Sequence, residues 1–156
     1  MPDVFISHAK EDEQFANFLL RHLQQEGLGV YLASASLVAG EMWMPNILEN
    51  LRQSQWVLCL ASQAACCSPW VMQEMGVAIG SSKRMIPIIW DQPPSALPGW
   101  MQQYQPVNLV GASQDQVMNK LNQMAGSIKQ DKEEQKQKAL LIGGLLLLGM
   151  AIFGNG

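Results

Sequence analysis

The chain has 156 residues, 48% of them hydrophobic, and a formal net charge of −3 from 10 basic and 13 acidic side chains. That length holds one domain of ordinary size with an appendage, and without a basic surplus no nucleic acid is expected as a partner. The three cysteines, Cys59, Cys66 and Cys67, form no C-x-x-C pair and only two histidines accompany them, so no metal is expected and the thiols read as reduced and cytoplasmic rather than nucleophilic.

Met1-Pro2-Asp3-Val4-Phe5 lacks the basic segment and long apolar run of a secretory leader. Val4-Phe5-Ile6 reads instead as a buried strand running into Ser7-His8-Ala9-Lys10. Phe15, Phe18, Leu19, His22 and Leu23 follow at helical spacing, and Gly27 ends that helix. Val30-Tyr31-Leu32 is a second strand, residues 33–43 a loop, and Met44, Ile47, Leu48 and Leu51 mark a second helix. Trp56 to Leu60 is a third strand, and a helix runs from Ser68 to near Gly80. Met85 to Trp90 is a fourth strand, in which Pro87 suggests a local irregularity or an edge. A proline-rich loop, a short strand at Val107-Asn108-Leu109 and a helix marked by Val117, Leu121, Met124 and Ile128 complete the globular part. Such alternation predicts a parallel sheet with helices on both faces. Ligands of such sheets bind beyond the carboxyl ends of the strands, where the strand order reverses. Ser7 to Lys10, the 33–43 loop and Cys66 to Glu74 all lie at such ends.

Ser68-Pro69-Trp70-Val71-Met72-Gln73-Glu74 carries the most chemistry. Ser68 suits a helix cap, and Pro69 suits the first helical position, where its missing N–H has no partner to lose. Trp70 and Glu74 are four apart and share one helix face. A flat aromatic beside a carboxylate can stack on a heterocycle and stabilise a developing positive charge. On this segment alone, a packed tryptophan beside a solvated glutamate is the alternative.

Taken together, these residues resemble the TIR (Toll/interleukin-1 receptor) domain family. Asp3-Val4-Phe5-Ile6-Ser7-His8 looks like its first strand, and Val30-Tyr31-Leu32 followed by Gly40-Glu41 and Trp43 is similar to its second strand and BB loop. Trp56 to Ser62 looks like its third strand, Arg84 to Ile89 like its fourth, and Trp70-x-x-x-Glu74 like the pattern of enzymatic members. The resemblance covers about Pro2 to Ile128. It implies a flavodoxin-like α/β fold with a five-stranded parallel sheet. It also implies cleavage of NAD⁺, as substrate rather than cofactor, at the nicotinamide–ribose bond, giving nicotinamide and ADP-ribose or a cyclised product. Glu74 is then catalytic, and Trp70, Ser7, His8, Lys10 and Gly40 are substrate-binding. Activation by self-assembly of TIR domains and a place in bacterial antiphage defence are further implications. A non-catalytic scaffold that recruits other TIR domains is the alternative. The chain departs from the family pattern at Ala9, and at Ala33 and Ser34, where many bacterial relatives carry an acid.

Three segments are expected: the domain at 1–128, a charged linker at 129–138 and a hydrophobic tail helix at 139–154. Ala139 to Phe153 is 15 uninterrupted apolar or glycine residues, apolar on every side. At 1.5 Å per residue it spans about 22 Å, against about 30 Å for a bilayer core. Lys129, Lys132, Lys136 and Lys138 precede it and no base follows. The expectation is a single-pass transmembrane anchor with the TIR domain cytoplasmic. An oligomerisation helix buried by other chains is the alternative.

Overall fold

The computed structural model describes residues 1–33 and 44–154. Five strands form one parallel sheet: β1 (Val4–Ser7), β2 (Val30–Leu32), β3 (Trp56–Leu60), β4 (Arg84–Ile89) and β5 (Val107–Asn108), in the order β2-β1-β3-β4-β5. This is the doubly wound, flavodoxin-like order, which reverses between β1 and β3. The helices are α1 (Glu13–Gln25), α2 (Met44–Gln53), α3 (Gln63–Cys66), α4 (Pro69–Gly80) and α5 (Gln114–Phe153).

Two cores lie on opposite faces of the sheet, because successive strand residues point to opposite sides. Phe5, Val57, Cys59 and Ile89 face α2, α3 and α4 through Leu51, Ala65, Val71 and Met75. Val4, Ile6, Leu58, Leu60 and Ile88 face α1 and α5 through Leu19, Leu23, Leu121, Ala125 and Ile128. The central strands bury both faces, which is why they read as unbroken apolar runs.

Local chemistry accounts for the ends of the elements. Gly27 stops α1 at φ +84°, a left-handed conformation that strains residues with a Cβ. Ser113 caps α5 in a reciprocal capping box with Gln116. Pro87 lies within β4 opposite Cys59. β5 pairs with β4 only from Ile88 onward, so at Pro87 the strand is flanked on one side alone and tolerates the missing donor.

Helix α5 is continuous over 40 residues and takes in the charged segment 129–138. That segment is clamped to the domain. Lys129 pairs with Glu26 at 3.2 Å, Lys132 with Asp3 at 3.0 Å, and Asp131 with Arg84. The Trp56 indole N–H donates to Asp131 Oδ2 at 2.9 Å, and the Arg84 guanidinium lies over the Trp56 ring at 5.3 Å. Beyond the clamp the helix is bare: Leu140 to Leu148 and Met150 to Ile152 are exposed on all sides apart from the glycines. Among the described residues no helix is long and apolar enough to cross a membrane. The expected single-pass anchor is therefore not supported: the 15-residue apolar run is short for a bilayer core.

Candidate active site

The carboxyl ends of β1 and β3, with the start of α4, surround a cleft of about 440 Å³. Its wall includes His8, Lys10, Ala64, Cys67, Ser68 and Trp70. Three of the expected site residues, His8, Lys10 and Trp70, thus meet on one cleft. A larger groove of about 620 Å³ runs between β4, β5 and α5, with Lys120 the only charged residue among the described residues that line it. The smaller cleft is the site candidate because the polar groups converge there.

Helix α4 starts as its sequence predicts. The Ser68 hydroxyl accepts from the Val71 N–H at 3.4 Å, and Pro69 occupies the first turn. This start sets Trp70 half-buried on the cleft wall, while Glu74, one turn further along α4, is buried and does not line the cleft. Glu74 is only 1% exposed, and neither carboxyl oxygen has a hydrogen-bond partner of good geometry. Burial pushes its pKa up to about 7, partly offset by the neighbouring Ser7 and Trp70 side chains. A carboxylate in that condition is costly to keep in a fold, and such groups concentrate at functional sites.

Ser7, the last residue of β1, is fully buried with no hydrogen bond of good geometry to its hydroxyl, and it does not line the cleft. His8 is 8% exposed with Nδ1 unpartnered. Burial lowers its pKa, against the pull of Glu13 and Asp12, so near neutral pH the ring is an uncharged donor–acceptor. Lys10 is exposed at the rim, at the start of a 3₁₀ turn spanning Lys10–Asp12. Gly40 and Trp43 lie outside the described residues.

Tyr31 is a site neighbour that the sequence reading treated only as a strand residue. It stacks on Phe5 with ring centroids 5.5 Å apart, and both burial and Glu74 hold its hydroxyl above the ordinary tyrosine pKa. Its place at the carboxyl half of β2, beside β1, is the signal that marks it. Cys67 is an exposed thiol on the cleft wall, also unassigned from sequence. Cys66 is half-buried, receives a hydrogen bond from the Gln92 side chain at 3.3 Å, and has its pKa raised by burial. That is the state of an inert thiol. Under the cleft, Ser62 caps α3 and bonds to Asp12, tying the 3₁₀ turn to β3. No group of three metal-ligating side chains converges among the described residues.

The family model for the TIR domain matches residues 4–124, so the chain belongs to the TIR domain family. It is 30% identical over 97 residues to a probable 2′ cyclic ADP-D-ribose synthase, BdTIR, of Brachypodium distachyon, covering 61% of this chain and 43% of that one. It is 34% identical over 99 residues to the NAD(+) hydrolase sarm1 of Drosophila melanogaster, covering 58% of this chain and 7% of the other. The chain therefore spans less than half the length of either relative. Among solved structures it is similar to the TIR domain of the Toll-related receptor TRR-2 of Hydra magnipapillata. There the TM-score is 0.68 at 18% identity, over 83% of this chain and 99% of that one. This last likeness concerns the fold.

Proposed function

We propose that this chain cleaves NAD⁺ at the nicotinamide–ribose bond, with Glu74 as the catalytic carboxylate. The observation that carries the reading is Glu74 itself: a buried acid whose oxygens lack hydrogen bonds of good geometry, with a pKa raised to about 7, one helical turn along α4 from Trp70 of the cleft wall. The two relatives named for NAD⁺ hydrolysis and cyclic ADP-ribose synthesis support the same substrate.

The chemistry follows from the charges. The C–N bond breaks with its electron pair leaving on nicotinamide, which departs neutral because its ring starts as a cation. Positive charge develops on the ribose, and a carboxylate beside it stabilises that charge electrostatically. The cationic ring, once bound, also favours the ionised form of Glu74, drawing its pKa down when the carboxylate is needed. Trp70 offers a flat face for a substrate ring. Lys10 and the start of α4 offer positive potential to the diphosphate. Water then completes hydrolysis to ADP-ribose, or one of the substrate's own hydroxyls closes a cyclic product. The test is incubation of the purified protein with NAD⁺ and mass spectrometry of the products. Free nicotinamide at a rate equal to buffer alone would refute the proposal.

The bare tail favours an addition to this reading. An apolar helix exposed on all sides is stable only when something covers it. We assign that cover to the tails of neighbouring copies, which brings TIR domains together and raises their local concentration. On this reading assembly switches on NAD⁺ consumption, the mode suited to a response such as antiphage defence. Phage plating on cells carrying the wild type or Glu74→Gln tests that role. Detergent-free fractionation tests the cover: recovery with membranes alone, and monomeric when extracted, would replace copies with lipid. If NAD⁺ is not turned over while the domains still co-assemble, the scaffold reading stands instead.

A further inference from the structure

We propose that Ser7 is a positioning residue for Glu74: its hydroxyl, presented from the end of β1, orients the carboxylate. The inference rests on the proposed role of Glu74 and adds to it the group that holds that side chain.

Burial groups Ser7 with Glu74. Ser7 is 0% and Glu74 1% exposed, and neither side chain lines the cleft. Two sets of polar atoms are left over at the same place. The Ser7 hydroxyl and both Glu74 carboxyl oxygens are buried without a hydrogen-bond partner of good geometry. Yet Ser7 is close enough to Glu74 to oppose the effect of burial on it, and is the first of the two side chains that do so. A buried hydroxyl and a buried carboxyl side by side satisfy each other by a small rotation, and the ionised carboxylate gains most because hydrogen bonds to charged groups are the stronger kind. The backbone makes Ser7 a firm platform: β1 is paired on both sides, with Ile6 opposite Leu32 and Ser7 opposite Cys59.

The other groups facing Glu74 do not titrate in the same range. Tyr31 of β2 and Cys59 of β3 both feel its charge, and both are held above their ordinary values by burial. His8 follows Ser7 in the chain, but burial, only partly opposed by Glu13 and Asp12, holds its pKa below the ordinary histidine value, under the range where Glu74 titrates. A change near pH 7 that disappears with the Glu74 carboxyl therefore reports Glu74 alone.

The experiment measures the full chain, with Ser7→Ala, Ser7→Thr and Ser7→Cys, by two readouts. The first is the pH dependence of NAD⁺ turnover from pH 5 to 9. Loss of a hydroxyl that favours the ionised form moves the acid limb to higher pH by about one unit. Thr keeps the hydroxyl and restores the limb, whereas Cys, a weak donor of similar size, behaves like Ala. The second readout is the pH dependence of thermal stability, which needs no activity. The pH at which stability falls as Glu74 ionises moves upward by a similar amount in Ser7→Ala, and the shift vanishes in a Glu74→Gln background. A Ser7→Ala protein with reduced turnover but an unmoved acid limb and stability profile overturns the proposal and makes Ser7 structural only. A shift that survives in Glu74→Gln overturns it as well. If the wild type releases no nicotinamide at any pH, the enzymatic reading fails by itself, and the stability arm still decides whether Ser7 acts on Glu74.

Discussion

At the scale of single residues, Glu74 sets function against stability. Glu74→Gln keeps the shape and removes the charge, so NAD⁺ turnover should drop by about 10²-fold or more, the scale of losing a principal electrostatic group. Turnover within a few-fold of wild type would rule Glu74 out. The same substitution makes a signed prediction for stability. The folded pKa of about 7 lies above the ordinary glutamate value of 4.5. The native state therefore holds this proton more tightly than the unfolded chain does. The stability that follows is complete below about pH 4.5 and is lost as pH rises through about 7, by about 3 kcal/mol in all. Glu74→Gln lacks this loss, so it should unfold at higher denaturant concentration than wild type at pH 8, with the two curves converging near pH 5. Parallel curves across that range would mean that the carboxyl is solvated.

At the scale of elements, helix α5 joins the tail to the domain rigidly. Asp131 accepts from the Trp56 indole and pairs with Arg84, and its side chain is only 13% exposed. Asp131→Ala leaves the indole N–H and the guanidinium without their acceptor and should cost about 1–2 kcal/mol in urea unfolding. Amide exchange over 129–138 should quicken with it. Lys129→Ala removes an ion pair open to water, 47% and 39% exposed at its two ends, and should change stability by less than about 1 kcal/mol. Equal effects of the two substitutions would argue against a clamp centred on Asp131. The same contacts decide where the domain can be shortened. All three ion pairs of α5 found among the described residues lie after Ile128. Truncation after Lys138 should therefore keep the melting temperature, and truncation after Ile128 should lower it.

At the scale of the whole molecule, the proposed function makes the exposed tail and the cleft parts of one device. If copies cover each other's tails, the full chain should sediment as an oligomer and its NAD⁺ turnover should rise faster than linearly with concentration. The protein ending at Lys138 should sediment as a monomer and need a higher concentration for the same specific activity. A full chain that is monomeric without detergent and linear in activity would remove assembly from the proposal.

Much of this architecture was legible in the chain. Apolar runs bounded by turn residues marked the strands, the central ones most plainly, because strands buried on both faces leave few polar positions to blur them. Ser68-Pro69 marked the start of α4 by local rules alone, and the four-residue spacing put Trp70 and Glu74 on one face. The short α3 went unread, since four residues carry no helical period. The clamp on α5 went unread because its partners, Asp3, Glu26, Trp56 and Arg84, are brought to it only by the folded sheet and α1. The sequence by itself determined which residues have the chemistry for the site. Only the tertiary structure decided that Glu74 is buried with no hydrogen bond of good geometry to its oxygens, that Ser7 does not line the cleft, and that Tyr31 feels the charge of Glu74. Burial and proximity belong to three strands and a helix meeting at the reversal of strand order, and no local pattern encodes that meeting.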